Sequence, residues 1–388
     1  MMDIIIKPLK NAAFLCGLTT ASKTSLIFAI LTCCLSWGWL INLYSISNIK
    51  AGGRHIQSAH YDIIGQSSRR LALLSDLPGD KPLIIYGASS SAASAITSPS
   101  EISNILHNQG LDYEVVGFFS AGQTIWEIES AARHISPKRE KILLLPVNMV
   151  QLQKGASALT KSALTKRILY TNTSIWHDIL DAESVKHAPS LYFTAFDNLA
   201  YIAKRKRSLI RQYYTPPIKL NGWYHTKISD AEWSELAKTW GDPDYIAVPP
   251  KKRYLGPVEV RNLAAYTGLT RIKKLHNNVD EAEEILVRSI KRMQATGIEV
   301  ITIDTPIDAE SMARNMSQQE VDEILSEIRV RQLSIANRTD SKFIQVAPTA
   351  DLDTSNFLDW VHIAKDSGKQ RYTEALSKAL GDLLHERQ

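Results

Sequence analysis

Short apolar runs and helical stretches alternate along much of the chain. The runs at residues 83–86, 113–117 and 141–146 are almost continuously apolar and end near a glycine, a proline or a polar residue. Between them, residues 99–109 and 124–135 carry apolar side chains at helical spacing. Continuous apolar runs of this length are typical of strands buried on both faces, as in a parallel sheet. The pattern therefore predicts parallel strands that alternate with helices.

The same alternation returns near the C-terminal third of the chain. It predicts helices over 280–296, 317–338 and 367–385, and strands over 298–304 and 342–347. Together with the first three strands, this gives a five-stranded parallel sheet flanked by helices, a three-layer α/β fold. Ligands bind beyond the carboxyl ends of the strands in such sheets, so polar residues at those ends are the candidates for chemistry.

Residues 151–279 interrupt the alternation and differ in composition. Basic runs lie at 204–207 and 251–253, and seven Trp and Tyr residues lie within 213–245. We expect a largely helical insertion that caps or flanks the site. The basic runs fit a solvated helix face or a contact with anionic head groups or an anionic polymer. The aromatic residues fit a local core or a groove for sugar rings or an acyl chain.

The N-terminal region predicts a membrane anchor. Residues 25–46 contain no charged side chain and would extend roughly 33 Å as a helix, enough for the hydrocarbon core of a bilayer. Residues 1–24 carry three lysines and one aspartate, which places them in the cytoplasm and the rest of the chain on the periplasmic or extracellular side. A cleaved signal peptide is the alternative, but the apolar run is longer than a signal peptide needs. Residues 47–79 would then form a polar stalk.

Composition limits the possible chemistry. The chain has 388 residues, a formal net charge of +5 and 44% hydrophobic residues, as expected for a globular protein with a sizeable core. So small a charge gives no indication of nucleic-acid binding. The cysteines are Cys16, Cys33 and Cys34, so the predicted α/β domain has no thiol nucleophile and no disulfide. Without metal-ligand spacing or a glycine-rich phosphate loop, we expect neither a metal nor a cofactor.

Polar residues follow two of the predicted strands in the first half of the chain. Ser89 comes just after the first strand, where a hydroxyl is exposed above the sheet edge and nearby backbone N–H groups can face an oxyanion. Ser90 and Ser91 are alternatives, and a Ser/Ala-rich connector without chemistry would also explain the run. Asn148 follows the third strand, where its amide could donate to an oxyanion or cap a helix.

A carboxylate and an imidazole lie three residues apart near the C-terminus. In Asp359-Trp360-Val361-His362 the carboxylate can orient the Nδ1–H of the imidazole, which leaves Nε2 free to accept a proton from a nucleophile. The alternative is that Asp359 begins a helix and His362 is a surface histidine. Gly122 offers an unobstructed backbone N–H, although an ordinary loop glycine would look the same.

The candidate residues occur in the order and strand context of a known superfamily. The chain resembles the SGNH (GDSL-like) hydrolases, and the residues that carry the resemblance are Ser89, Gly122, Asn148, Asp359 and His362. The resemblance implies a serine nucleophile at Ser89, oxyanion donors at Gly122 and Asn148, and a catalytic pair of Asp359 and His362. It covers residues 80–150 and 280–388 and leaves the predicted anchor and insertion outside.

The match to the family motifs is incomplete. Ala88 replaces the aspartate of the family's Gly-Asp-Ser block, Gly117 replaces the usual asparagine of the second block, and the third block reads Pro-Val-Asn-Met at 146–149. The layout is similar to the membrane-anchored branch that acts in cell-envelope acyl transfer. Examples are the D-alanyl-lipoteichoic acid transfer and polysaccharide O-acetylation proteins, which work with membrane-bound O-acyltransferases.

The resemblance implies an outward-facing serine acyl esterase or acyltransferase. Its substrate would be a cell-envelope glycan or a lipid-linked polymer. Two alternatives stay open. One is a non-catalytic scaffold of the same fold that binds polysaccharide or a membrane-bound O-acyltransferase, and the other is a lipase or acyl-thioesterase.

Overall fold

The computed structural model describes the α/β domain and part of the N-terminal region. The described residues are 20–42, Leu77, 79–119, 123–133, 139–152, Leu159, 279–314, 316–357, 360–363 and 365–387. Most of the predicted stalk at 47–79 and of the predicted insertion at 151–279 therefore lies outside the described residues.

Five parallel strands form one sheet, as the apolar runs predict. The strands are β1 Leu83–Ala88, β2 Glu114–Phe119, β3 Lys141–Pro146, β4 Glu299–Ile303 and β5 Lys342–Ile344. Their order is β2-β1-β3-β4-β5, and all neighbouring pairs are parallel. Helices cover both faces of β1, β2 and β3, which explains why these strands are apolar without alternation.

Helices connect the strands and pack on both faces of the sheet. They are α1 Thr20–Asn42, α2 Ser90–Ala93, α3 Pro99–Asn108, α4 Ile125–Arg133, α5 Met149–Leu152, α6 Val279–Gln294, α7 Ala309–Ala313, α8 Gln318–Thr339 and α9 Asp366–His385. Successive side chains of β1 enter different cores. Leu83 and Ile85 join the core formed with α4, α6 and α8, whereas Ile84 and Tyr86 join the core formed with α3 and α9.

The strand order creates a crevice at the carboxyl ends of β1 and β3. The connection after β1 leads outward to β2, and the chain after β3 leads to β4 on the opposite side. Such a divergence is where doubly wound sheets bind their ligands. The register pairs Leu83 with Lys141 and Tyr86 with Leu144, so the residues that follow β1 and β3 lie at the same edge of the sheet.

Helix α1 overlaps the predicted membrane span at 25–46. Within the described ranges, however, no helix combines the length and the apolar character that crossing a bilayer requires. The membrane anchor therefore stays a prediction from the sequence.

Candidate functional site

The serine turn, residues 89–91, leaves the carboxyl end of β1 and enters α2. Ser89 precedes the first helical residue with extended backbone angles of φ −75° and ψ 174°, and Ala93 N–H donates to its carbonyl oxygen at 2.9 Å. A serine in this position often bonds a helix N–H through its hydroxyl, but Ser89 makes no such side-chain cap. Its hydroxyl has other partners.

Asn148 brings an amide from the end of β3 to the serine turn. Its Nδ2 donates to Ser91 Oγ at 2.7 Å and to Ser89 Oγ at 3.3 Å, and the two hydroxyl oxygens lie 3.2 Å apart. Ser91 is buried, whereas Ser89 is partly exposed. Because β1 and β3 are hydrogen-bonded neighbours, the amide and the serine hydroxyls are carried by rigid backbone.

The imidazole of His362 reaches the serine turn from the C-terminal part of the chain. Its Nε2 lies 3.2 Å from the Oγ of Ser90, which is partly exposed. The structure therefore brings three of the predicted residues, Ser89, Asn148 and His362, to one edge of the sheet. The hydroxyl that contacts the imidazole at this distance belongs to Ser90, the neighbour of the predicted nucleophile.

The loop that carries His362 is closed on itself and attached to α7. Phe357 and Ile363 form an antiparallel bridge across the loop. The backbone N–H of Asp308 donates to the carbonyl oxygen of Trp360 at 2.9 Å. These two contacts hold the backbone on both sides of His362, so the position of the imidazole depends on the start of α7.

Asp308 connects the start of α7 to the loop that carries His362, and the sequence did not predict this role. Its carboxylate accepts a hydrogen bond from Ser311 N–H at 3.0 Å, which caps α7, and another from Thr354 Oγ1 at 2.8 Å. Burial raises the pKa of the Asp308 carboxyl. An aspartate just before a helix is a sequence signal for a cap, but it can be used only where the helix itself is predictable. Helix α7 has only five residues, too few to show a helical period.

A second buried carboxylate lies at the end of β4. Asp304 accepts hydrogen bonds from Val346 N–H at 2.8 Å and Ala347 N–H at 3.1 Å. Burial raises its pKa to about 6, although these N–H groups favour the charged form. The sequence reasoning placed Asp304 inside a strand and gave it no role. Its contacts join the carboxyl ends of β4 and β5.

A small pocket opens beside the serine turn. Its volume is about 40 Å³. The lining residues with a side-chain hydroxyl or amide group are Ser89, Asn148 and Gln123. The other walls are mostly apolar and come from Ile125, Ile128, Leu145, Leu152, Leu159, Ala282 and Leu286. The arrangement combines a hydroxyl, an amide donor and an apolar cavity.

Two predicted site residues, Gly122 and Asp359, lie outside the described residues, so their roles stay predictions. In the part of the chain that the structure does describe, no group of three or more His, Cys, Asp or Glu side chains is arranged to hold a metal ion.

Comparison of the chain with protein-family models finds no match, and comparison with curated proteins finds none either.

Proposed function

We propose that the protein is a serine acyl esterase or acyltransferase of the SGNH-like type. The observation that carries the proposal is that the Asn148 amide reaches the Ser89 hydroxyl and the His362 imidazole reaches the hydroxyl of the adjacent Ser90, all at one edge of the sheet. Covalent acyl transfer depends on a nucleophile within hydrogen-bond reach of a base. The crevice between β1 and β3, where doubly wound sheets bind ligands, supports the same proposal.

Ser89 is the proposed nucleophile. Acyl transfer needs a base, an oxyanion donor and room for the acyl group at the same hydroxyl. Ser89 has the Asn148 amide at 3.3 Å and lines the pocket, whereas Ser90 has the imidazole at 3.2 Å. The amide and the pocket are fixed by the paired strands, but an imidazole can turn about its side-chain torsions toward a neighbouring hydroxyl. The rigid parts of the site favour Ser89, and Ser90 is the specific alternative.

The proposed reaction has two steps. His362 Nε2 takes the proton of Ser89 as the serine oxygen adds to the carbonyl carbon of an ester or thioester, and Asn148 Nδ2–H stabilises the negative carbonyl oxygen. The intermediate expels the alcohol or thiol, which takes the proton from His362 and leaves an acyl-serine. A sugar hydroxyl or water then attacks the acyl-serine and gives its proton to His362, and the bond between the acyl group and Ser89 Oγ breaks as that oxygen takes the proton back. In this scheme Asp359 orients the imidazole and Gly122 supplies a second oxyanion donor.

The proposed setting is the cell envelope. If residues 25–46 anchor the chain, the α/β domain is exported and acts on a glycan or a lipid-linked polymer, with a membrane-bound O-acyltransferase as partner. The apolar sequence of residues 25–46 and the family resemblance support this setting.

A non-catalytic scaffold that binds polysaccharide or a membrane-bound O-acyltransferase is the second candidate. Two observations favour it. Ala88 stands where the family has an aspartate, and the imidazole contacts Ser90, the neighbour of the expected nucleophile.

Hydrolysis of p-nitrophenyl acetate separates these candidates. We expect Ser89→Ala and His362→Ala to lower kcat/KM by about 10³-fold or more, because each removes a member of the catalytic unit. Ser90→Ala should stay within tenfold of wild type, as should the control Ser100→Ala on the exposed surface of α3. The reverse result for Ser89 and Ser90 would make Ser90 the nucleophile. Wild-type turnover no faster than that of His362→Ala would favour the scaffold.

A further inference from the structure

A buried tyrosine of β1 is hydrogen-bonded to the helix that follows the serine turn. Tyr86 is fully buried, and its hydroxyl donates to the carbonyl oxygen of Ala92 at 3.1 Å. Ala92 belongs to α2, which begins at Ser90 and has only four residues. The bond therefore joins the helix after the serine turn to the strand before it.

The ring of Tyr86 is held on several sides. Its backbone is paired with Gly117 of β2 and with Leu144 of β3, so it lies in the interior of the sheet. Its ring packs edge-on against Phe119, with the ring centroids 5.4 Å apart and the planes at 90°. A hydroxyl at the end of such a ring has little freedom to move, because close-packed neighbours surround it.

Helix α2 depends on contacts from outside for its position. Its backbone bonds include those from Ala93 N–H to Ser89 and from Ser94 N–H to Ser90, each 2.9 Å long. Ser89 adds no side-chain cap. A helix this short is unstable by itself in water and needs tertiary contacts to persist. The bond from Tyr86 is such a contact, and it holds the backbone of the helix.

The hydroxyl of Tyr86 is satisfied by this bond. A phenylalanine would place the same ring against the core without removing a hydroxyl from water, and burying a hydroxyl is costly unless it is hydrogen-bonded. Burial also raises the pKa of Tyr86, so the hydroxyl keeps its proton over the pH range in which an imidazole acts as a base. The bond to α2 is therefore present whenever the proposed chemistry can run.

We infer that Tyr86 is a positioning residue for the proposed acyl transfer. Its hydroxyl fixes α2 and thereby sets where the serine hydroxyls stand relative to the Asn148 amide and the His362 imidazole. The inference rests on the proposed function. A shift of about 1 Å in a reacting group costs about 100-fold in rate, so losing the bond should slow the chemical step more than it weakens substrate binding.

The first test compares two tyrosine-to-phenylalanine variants of the full chain by fluorophosphonate labelling. Tyr86→Phe keeps the ring and should lower the rate constant of phosphonylation at least tenfold, with the half-saturating probe concentration within twofold of wild type. Tyr372→Phe is the matched control. Tyr372 is also fully buried and donates to a backbone carbonyl, that of Asp304 at 3.2 Å, which lies outside the serine turn. It should lose similar stability in urea and label within twofold of wild type.

The second test measures the helix itself and needs no activity. Amide hydrogens exchange with solvent through local opening, so an anchored helix exchanges more slowly than a loosened one. We expect exchange of the Ala93 and Ser94 amides to be at least tenfold faster in Tyr86→Phe than in wild type, and unchanged in Tyr372→Phe.

The possible failures are distinguishable. Labelling of Tyr86→Phe as fast as that of Tyr372→Phe, or equal exchange of α2 in the two variants, would overturn the positioning role and leave the serine chemistry intact. No labelling of the folded wild-type protein would overturn the proposed function and this inference with it.

Discussion

Ser91 and Asn148 form a hydrogen-bonded pair next to the proposed nucleophile. The Ser91 hydroxyl is buried and accepts from the amide at 2.7 Å, so the amide is oriented before any substrate arrives. A donor that is held in place costs no reorganisation when charge develops on the carbonyl oxygen. In the proposed reaction, buried Ser91 therefore has a supporting role, and Asn148 is the described residue that we propose as oxyanion donor.

Replacing Asn148 tests that role directly. We expect Asn148→Ala to lower kcat for p-nitrophenyl acetate by about 10²–10³-fold, the usual cost of losing one oxyanion donor. Asn148→Asp keeps the shape but places a carboxylate beside the oxyanion, so it should be at least as inactive. Circular dichroism should show both variants folded. Near-normal turnover in either one would remove Asn148 from the site.

Asp304 makes stability depend on pH in an unusual direction. Burial raises its pKa from 3.8 to about 6, so the folded protein binds this proton at a pH where the unfolded chain has already lost it. A raised carboxyl pKa contributes stability as pH falls below about 6, and the contribution is complete below the unfolded value near 4.

We expect the wild type to gain about 1 kcal/mol of unfolding free energy between pH 7 and pH 5 relative to Asp304→Asn, which cannot titrate. Urea unfolding at the two pH values measures the difference. Equal pH dependence in the two proteins would show that Asp304 is not the cause.

At the scale of elements, long periodic segments were predictable and short ones were not. The five strands and the helices α6, α8 and α9 lie close to their predicted positions, because long apolar patterns are determined by which side chains face the core. Strand β5 ends at Ile344, earlier than predicted, because the N–H groups of Val346 and Ala347 donate to the Asp304 carboxylate before a 3-10 turn begins at Ala347. Helices α2, α5 and α7 have four or five residues, too few to show a period.

Helix α7 illustrates why such elements matter. It is capped by Asp308, whose backbone and side chain also bind the loop segments at Trp360 and Thr354. These contacts join residues about 50 positions apart, and no local pattern reveals them. The placement of His362 therefore depends on a long-range connection that becomes visible only in the folded chain.

Asp308→Ala should disturb the site by removing the cap of α7 and the contact with Thr354, whereas the backbone N–H bond to Trp360 stays. We expect a loss of about 1–2 kcal/mol in stability, the usual cost of a lost cap, and at least a tenfold loss of kcat/KM on p-nitrophenyl acetate. Ser317→Ala is the control, because Ser317 caps α8 with the same kind of hydrogen bond, accepting from the N–H of Glu320 three residues further on. It should lose similar stability and keep full activity. Equal activity losses in both variants would mean that Asp308 acts only through stability.

At the scale of the whole molecule, the sheet brings distant residues together and side-chain packing decides which of them touch. The carboxyl ends of β1 and β3 were predictable as the location of the site, because parallel neighbours end at one edge. That His362 contacts Ser90 rather than Ser89 was not predictable. Which of the two serines the imidazole reaches depends on how the loop that carries His362 is closed by the bridge between Phe357 and Ile363. The central proposal for this molecule is that acyl transfer takes place at this edge of the sheet.

The most direct measurement of that claim is fluorophosphonate labelling of the full chain, followed by mass-spectrometric mapping of the modified residue. Acyl transfer as proposed predicts one phosphonylated serine, Ser89, and loss of the label in His362→Ala. A label on Ser90 would move the nucleophile by one residue and keep the chemistry. A label outside the serine turn, or no label on the folded wild-type protein, would contradict the account.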